Sequence, residues 1–237
     1  MFKDKKVIIF DIDGTLLDTI GIWNEIDKEV IKAIGGEIHD NIGLERDNFL
    51  ANNRVGNIYL NYDNYLKERY NSKLEFNEIH ELRKKICYET LKTKVDFKEN
   101  ADKFIKIAKE KGFILAIASN TTNFDMNIYK NENKNIMSKC NIDDTFDLIL
   151  LKDDVHNSKP DPEIYLKLLD ELNINTSDCI TIEDSLSGVI AAKTANIDVI
   201  NIYDKYSDND RDEINELSDY KVKDFNELIN IIEKIQS

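Results

Sequence analysis

The stretch Val7-Ile8-Ile9-Phe10-Asp11-Ile12-Asp13-Gly14-Thr15-Leu16-Leu17-Asp18 decides how this chain of 237 residues is read. Its first four residues are apolar and three of them are β-branched, the pattern of a strand buried on both faces. Two acids stand directly at the end of that strand. Charge abutting a buried strand is costly unless it is paired or metal-bound, so Asp11 and Asp13 call for a partner. A polar turn at Asp13-Gly14 is the bland account.

Apolar runs of the same kind recur at residues 113–118, 148–151, 179–182 and 199–202, each followed by a polar turn. Between them apolar residues fall at helical spacing: Ala101, Phe104, Ile105, Ala108; then Tyr165, Leu168, Leu169, Leu172; then Phe225, Leu228, Ile229, Ile232. Strand alternating with helix predicts an α/β chain with a doubly wound parallel sheet. From about residue 20 to residue 91 no strand pattern appears, only helical ones such as Ile79, Leu82 and Ile86 with Cys87. The expected organisation is a Rossmann-like core domain, residues 1–18 and 93–237, with an all-helical insertion at 19–92. An insertion directly after the first strand would lie beside the C-terminal strand ends, where such sheets bind ligands, and could act as a lid. Residues 123–135 are polar enough to read as a loop-like extension of a helix.

Thirty-two basic residues against 46 acidic ones give a net charge of −14. That field repels nucleic acid and anionic lipid, so no nucleic acid and no membrane is expected as a partner. An anionic substrate would need local positive charge from a metal, a placed lysine or a helix N-terminus. Cys87, Cys140 and Cys179 are far apart and lack C-x-x-C spacing, which fits reduced thiols. The first apolar run is too short for a signal peptide and no run of 18 apolar residues occurs. The expectation is a soluble, cytoplasmic protein, a monomer or weak homodimer.

The ends of the other strands resemble the first in kind. Residues 113–118 lead into Ser119-Asn120-Thr121-Thr122, hydroxyl and amide groups that could cap a helix or donate to a phosphoryl oxygen. After 148–151 comes Ser158-Lys159-Pro160-Asp161-Pro162, which holds both prolines of the chain. Proline suits a helix start, but that leaves Lys159 unexplained. Residues 179–182 run into Glu183-Asp184-Ser185-Leu186-Ser187-Gly188, again two acids at a strand end. Each segment alone admits a structural account; four strand ends carrying Asp/Asp, Ser/Asn, Lys and Glu/Asp together do not.

These segments resemble the four ordered motifs of the haloacid dehalogenase-like superfamily, over residues 5–18 and 95–205. The D-x-D-G-T pattern after a hydrophobic strand is the specific part, and the serine motif is weak by itself. An all-helical insertion between the first two motifs resembles the C1-cap group, which includes phosphoglycolate phosphatases and β-phosphoglucomutases. The family often ends its fourth-motif helix with Ala-Gly where this chain has Ala195-Asn196, a change confined to a helix C-cap.

Four acids converging on one sheet edge repel, each like-charge pair about 4 Å apart costing on the order of 1–4 kcal/mol, so a cation is required. With only oxygen ligands and no suitably spaced His or Cys, Mg²⁺ is favoured over zinc. The resemblance implies a phosphatase for a small phosphorylated metabolite, of the sugar or polyol phosphate class. It further implies that Asp11 is the nucleophile, forming a phospho-aspartate, and that Asp13 is the general acid and base and a metal ligand through its carbonyl. Ser119 and Asn120 would bind the phosphoryl oxygens, Lys159 would pair with nucleophile and phosphate, and Asp184 and Glu183 would complete the metal sphere.

Substrate choice should lie in the insertion, where Arg54 and Trp23 are the candidates. Asn52, Asn53 and the series Tyr59, Tyr62, Tyr65 read as packing or solvated face as readily as specificity. A hexose-phosphate mutase is the alternative within the superfamily. Those enzymes generally carry a histidine soon after the first motif and Arg-x-Lys-Gly in the cap, whereas this chain has Trp23 and Arg54-Val55-Gly56. A dehalogenase needs neither Asp13 nor a metal. A non-enzymatic phosphoacceptor or binding module is the alternative of another class, though Asp13 stands ready to hydrolyse its product.

Overall fold

The computed structural model describes residues 1–53 and 58–235. The chain divides into two compact units, Met1–Thr19 with Val95–Ser237, and Ile20–Lys94. Helices are numbered in chain order, α1 to α4 in the second unit and α5 to α12 in the first.

The opening apolar run forms β1 (Val7–Phe10), every side chain buried. It is flanked by β2 (Ile114–Ala118) and β4 (Cys179–Glu183), with Val7 in register with Ile114 on one side and Cys179 on the other. With β3 (Leu148–Leu150), β5 (Asp198–Ile202) and β6 (Tyr220–Val222) they make a six-stranded, all-parallel sheet of order β3-β2-β1-β4-β5-β6. Strand order reverses at β1 and β4, which opens a crevice at their C-terminal ends. Apolar strands buried on both faces need helices above and below, and each buried Val or Ile contributes roughly 1.5–3 kcal/mol. The sheet is therefore what fixes the strand ends in space.

The helices of this unit are α5 (Ala101–Glu110), α6 (Asn123–Asn131), α7 (Lys134–Lys139), α8 (Ile142–Thr145), α9 (Glu163–Leu172), α10 (Leu186–Thr194), α11 (Arg211–Leu217) and α12 (Phe225–Ile232). Ala101, Phe104, Ile105 and Ala108 form the buried face of α5, and Phe104 meets Phe225 of α12 with ring centroids 5.6 Å apart. The reading of residues 123–135 as loop-like is corrected: most of the stretch is helix. Thr122 caps α6 by accepting the Asp125 N–H, and Asn133 caps α7 by accepting from Asn135 and Ile136. Those caps, with Met126, Ile128 and Tyr129 buried, outweigh the weak helix propensity of asparagine. Asn196 does take the left-handed conformation after α10, at φ +58°.

The unit Ile20–Lys94 contains α1 (Ile20–Ala33), α2 (Ile42–Asn52), α3 (Ile58–Arg69) and α4 (Phe76–Lys94). On α4 the buried stripe is Ile79, Arg83, Cys87 and Leu91, with Thr90 beside it, so Leu82 and Ile86 of the apolar pattern fall at its half-buried edge. An arginine occupies the centre because acids meet it there. Arg83 Nη1 donates to Asp27 Oδ1 of α1 at 2.7 Å and its Nε donates to Asp63 of α3. Arg46 of α2 donates to the other oxygen of Asp27 at 3.0 Å, and His80 contacts Asp63 at 2.8 Å. No helix among the described residues is long and apolar enough to cross a membrane.

Candidate active site

Asp11 follows β1 immediately, its N–H donating to Ile182 O of β4 at 3.2 Å. The chain then turns sharply, with Gly14 at φ +87°. Glycine is required there twice over: the left-handed backbone disfavours a side chain, and a Cβ would stand 2.4 Å from Asp184 Oδ2. The turn delivers Thr15, whose hydroxyl donates to Asp184 Oδ1 at 2.7 Å. A second close approach occurs at Gly188, where a Cβ would lie 2.0 Å from Glu183 Oε2.

Lys159 is the hub. Its ammonium donates to Asp11 Oδ1 at 2.8 Å, to Ala118 O at 2.7 Å and to Glu183 Oε1 at 2.5 Å, which accounts for all three of its N–H groups. The lysine is carried to the strand ends by Asn120, whose side chain accepts from the Lys159 N–H at 3.1 Å and donates to the Lys159 carbonyl at 3.4 Å. The Asn120 amide is thus occupied in fixing Lys159. Ser119 follows β2 and shares a 2.9 Å hydrogen bond with the Thr121 hydroxyl. Asp13 is held by two hydroxyls: Thr121 Oγ1 donates to its Oδ2 at 2.7 Å and the Tyr129 hydroxyl to its Oδ1 at 3.2 Å.

Asp11, Glu183 and Asp184 are all buried, and one carboxylate oxygen from each lies within 4.8 Å of the others. One lysine against three buried acids leaves surplus negative charge. Burial works against the charge of Lys159, yet Asp11 and Glu183 beside it hold its pKa well above the ordinary value. Burial pushes the Glu183 carboxyl up to about 7 against the pull of Lys159, and burial with the neighbouring Asp11 pushes Asp184 well above the usual carboxylate range. Glu183 Oε2 is buried with no hydrogen-bond partner among the described residues. Buried oxygens of one sign, partly unsatisfied and of hard donor type, fit a divalent cation such as Mg²⁺.

Of the residues expected from sequence, Asp11, Lys159, Glu183 and Asp184 are brought into one cluster, with Ser119, Asn120 and Asp13 linked to its edge. Trp23 lies on α1 and is half-buried. Arg54 lies outside the described residues, as does the side chain of Tyr59. Asn52 and Asn53 are exposed, Tyr62 is buried beneath the Arg83 guanidinium at 5.1 Å, and Tyr65 donates to Glu45 at 2.5 Å. Sequence reasoning missed Thr15, Thr121, Tyr129 and Tyr165. Tyr165 donates to Glu183 Oε1 at 2.5 Å and its ring lies 5.2 Å from the Lys159 ammonium. The signal for it is hidden, since Tyr165 also fills an ordinary core position of α9.

The family profile described as haloacid dehalogenase-like hydrolase matches residues 8–202. The chain is 30% identical over 201 residues to the phosphorylated carbohydrates phosphatase of Thermotoga maritima, covering 82% of this chain and 83% of that one. It is 23% identical to hexitol phosphatase B of Escherichia coli K12, covering 93% and 92%. The crystal structure of CbbY from Rhodobacter sphaeroides in complex with phosphate superposes with a TM-score of 0.72 at 24% identity, covering 94% and 96%, which shows a shared fold.

Proposed function

This chain belongs to the haloacid dehalogenase-like hydrolase family, and from that premise we propose that it is a Mg²⁺-dependent phosphatase of small phosphorylated sugars or polyols, working through a phospho-aspartate on Asp11. The observation that carries this reading is the Lys159 ammonium bonded to Asp11 inside a cluster of three buried acids. The names of the relatives, a carbohydrate-phosphate phosphatase and a hexitol phosphatase, support the substrate class.

Asp11 and Asp184 would hold the cation through side chains and Asp13 through its carbonyl, while Glu183, whose Oε1 is taken by Lys159 and Tyr165, would complete the sphere directly or through water. When bound, Mg²⁺ supplies neutralisation of the charge between nucleophile and phosphoryl group. Lys159 orients Asp11 for attack on phosphorus. As the Asp11–phosphorus bond forms, the bond from phosphorus to the ester oxygen breaks, and Asp13 delivers a proton to that departing oxygen. Water then attacks the phosphorus of phospho-Asp11, passes a proton to Asp13, and leaves inorganic phosphate with the Asp11 carboxylate restored. Ser119 and the Asn120 backbone N–H would donate to the phosphoryl oxygens throughout. The helical unit Ile20–Lys94 would act as a cap that selects the substrate, with Trp23 and Arg54 as its candidates.

The test is phosphate release from a panel of sugar, polyol and glycerol phosphates, phosphoglycolate and nucleoside monophosphates, with and without Mg²⁺. Metal-dependent release from sugar or polyol esters is expected. Isomerised sugar without free phosphate would replace the reading by a mutase, and labelling by acetyl phosphate without turnover would replace it by a phosphoacceptor.

A further inference from the structure

We infer that Thr121 and Tyr129 are positioning residues for Asp13, together fixing the carboxylate that the reading above makes the acid and base. The inference rests on that reading. Thr121 follows β2 and Tyr129 lies on α6, and both are buried, Tyr129 completely. Each takes one carboxylate oxygen of Asp13, so that the two hydroxyls grip both ends of it. Neither donor is loose. The Thr121 N–H donates to Ser119 Oγ at 3.3 Å and its hydroxyl also meets Ser119 Oγ, which locks Thr121 to the strand end. Tyr129 rides on a helix whose start is fixed by the Thr122 cap.

The choice of hydroxyls has a chemical reason. A group that is acid in one half-reaction and base in the next must keep its place while its proton comes and goes. An arginine or lysine can only donate and would favour the ionised carboxylate in both halves. A hydroxyl can donate to the carboxylate and can equally accept from the carboxylic acid, so it holds Asp13 without dictating its charge. The Thr121 contact at 2.7 Å is the firm one; the Tyr129 contact at 3.2 Å is the one that yields when an Asp13 oxygen turns to the leaving group.

The separating property is the leaving group. Departure of an alkoxide needs a proton from Asp13, whereas p-nitrophenolate leaves without one, so misplacing Asp13 penalises the first ester selectively. The full chain with saturating Mg²⁺ is assayed for kcat/KM on p-nitrophenyl phosphate and on the sugar or polyol phosphate of the panel above that wild type hydrolyses fastest, glucose 6-phosphate being tried first, in wild type, D13N, T121V, T121S and Y129F. D13N is expected to lose on the order of 100-fold or more on the sugar ester and far less on the aryl ester. T121V is expected to lose at least about tenfold on the sugar ester and less than about threefold on the aryl ester, T121S to recover most of that loss, and Y129F to show the same selectivity at smaller size. Equal losses on the two esters, or none on either, in T121V and Y129F while D13N discriminates between them would overturn the positioning role alone. A wild type inert on the whole panel above and on p-nitrophenyl phosphate, or a D13N that treats the sugar and aryl esters alike, would overturn the parent reading and the inference with it.

Discussion

Two buried charge clusters, one in each unit, show how differently the chain treats ions it takes out of water. In the helical unit, Asp27 and Asp63 meet Arg83 and Arg46, two acids against two guanidiniums, joining α1, α2, α3 and α4. Asp27 and Asp63 hold Arg83 charged despite its burial. At the strand ends Lys159 pairs with Asp11 and Glu183, while Asp184 feels Lys98, itself paired with Asp204, through its charge. The first cluster balances acid against guanidinium and reads as architecture, although Arg83 Nη2 is buried with no hydrogen-bond partner among the described residues. The second is short of positive charge, and a site short of positive charge has work for a cation and an anionic substrate.

The largest effect should come from the member of the unbalanced cluster that is proposed to react. Asp11→Asn keeps the shape and removes the nucleophile, so turnover of every phosphate ester should fall at least about 10⁴-fold with the melting temperature little changed. Activity within tenfold of wild type, measured as phosphate release, would falsify the nucleophile assignment. In the balanced cluster the prediction concerns stability. Arg83→Met leaves Asp27 to Arg46 and Asp63 to His80, and breaking such a buried pairing costs about 3–5 kcal/mol. Urea unfolding should show that loss whether or not Mg²⁺ is present; a loss under 1 kcal/mol would make the helical lattice ornamental.

The metal response separates the clusters directly. A ligand that binds only the folded protein stabilises it by about 2.7 kcal/mol at a hundredfold excess over its dissociation constant. Wild type titrated with Mg²⁺ should gain stability of that order, and Asp184→Asn should lose most of the gain. An Asp184→Asn protein that responds to Mg²⁺ as fully as wild type would move the metal elsewhere.

How much of this was legible depends on where each residue's partner lies. Asp11, Ser119, Glu183 and Asp184 could be placed together because a parallel sheet puts strand ends side by side, so a polar group just after an apolar run already has a place in space; Lys159, farther along the chain from β3, stood out only by its prolines. The sheet was legible for the same reason, except β6, whose three residues with exposed Lys221 between Tyr220 and Val222 are too short to show a period. Thr121 and Tyr129 escaped because their value lies in a bond to Asp13 across 108 and 116 residues of chain, with no local mark. Arg83 escaped because it occupies a core position in a helical stripe, where pattern reading expects an apolar side chain, and its acids lie 56 and 20 residues away.

A third buried acid tests whether the comparison generalises. Asp125 on α6 is 7% exposed; its carboxylate accepts from the Thr122 hydroxyl at 2.6 Å, its N–H donates back to that hydroxyl, and Lys152 acts on it through its charge. Having neither an arginine partner nor a place in the acidic trio, it should answer burial by taking up a proton, and burial does push its carboxyl up to about 7, against the pull of the Thr122 hydroxyl. The sign follows from linkage. A carboxyl whose folded pKa exceeds its unfolded one binds more protons in the folded state, so its contribution to stability is present at low pH and fades as pH rises from about 3.8 through about 7. Between pH 6 and 7 alone wild type should lose about 1 kcal/mol relative to Asp125→Asn, which cannot ionise and keeps an oxygen for the Thr122 hydroxyl. Unfolding curves of the two proteins at those two pH values measure the difference. Parallel curves would mean that Asp125 is ionised in the fold and stabilised by something other than its proton, and that a buried acid here can stand without an arginine, a metal or a hydrogen of its own.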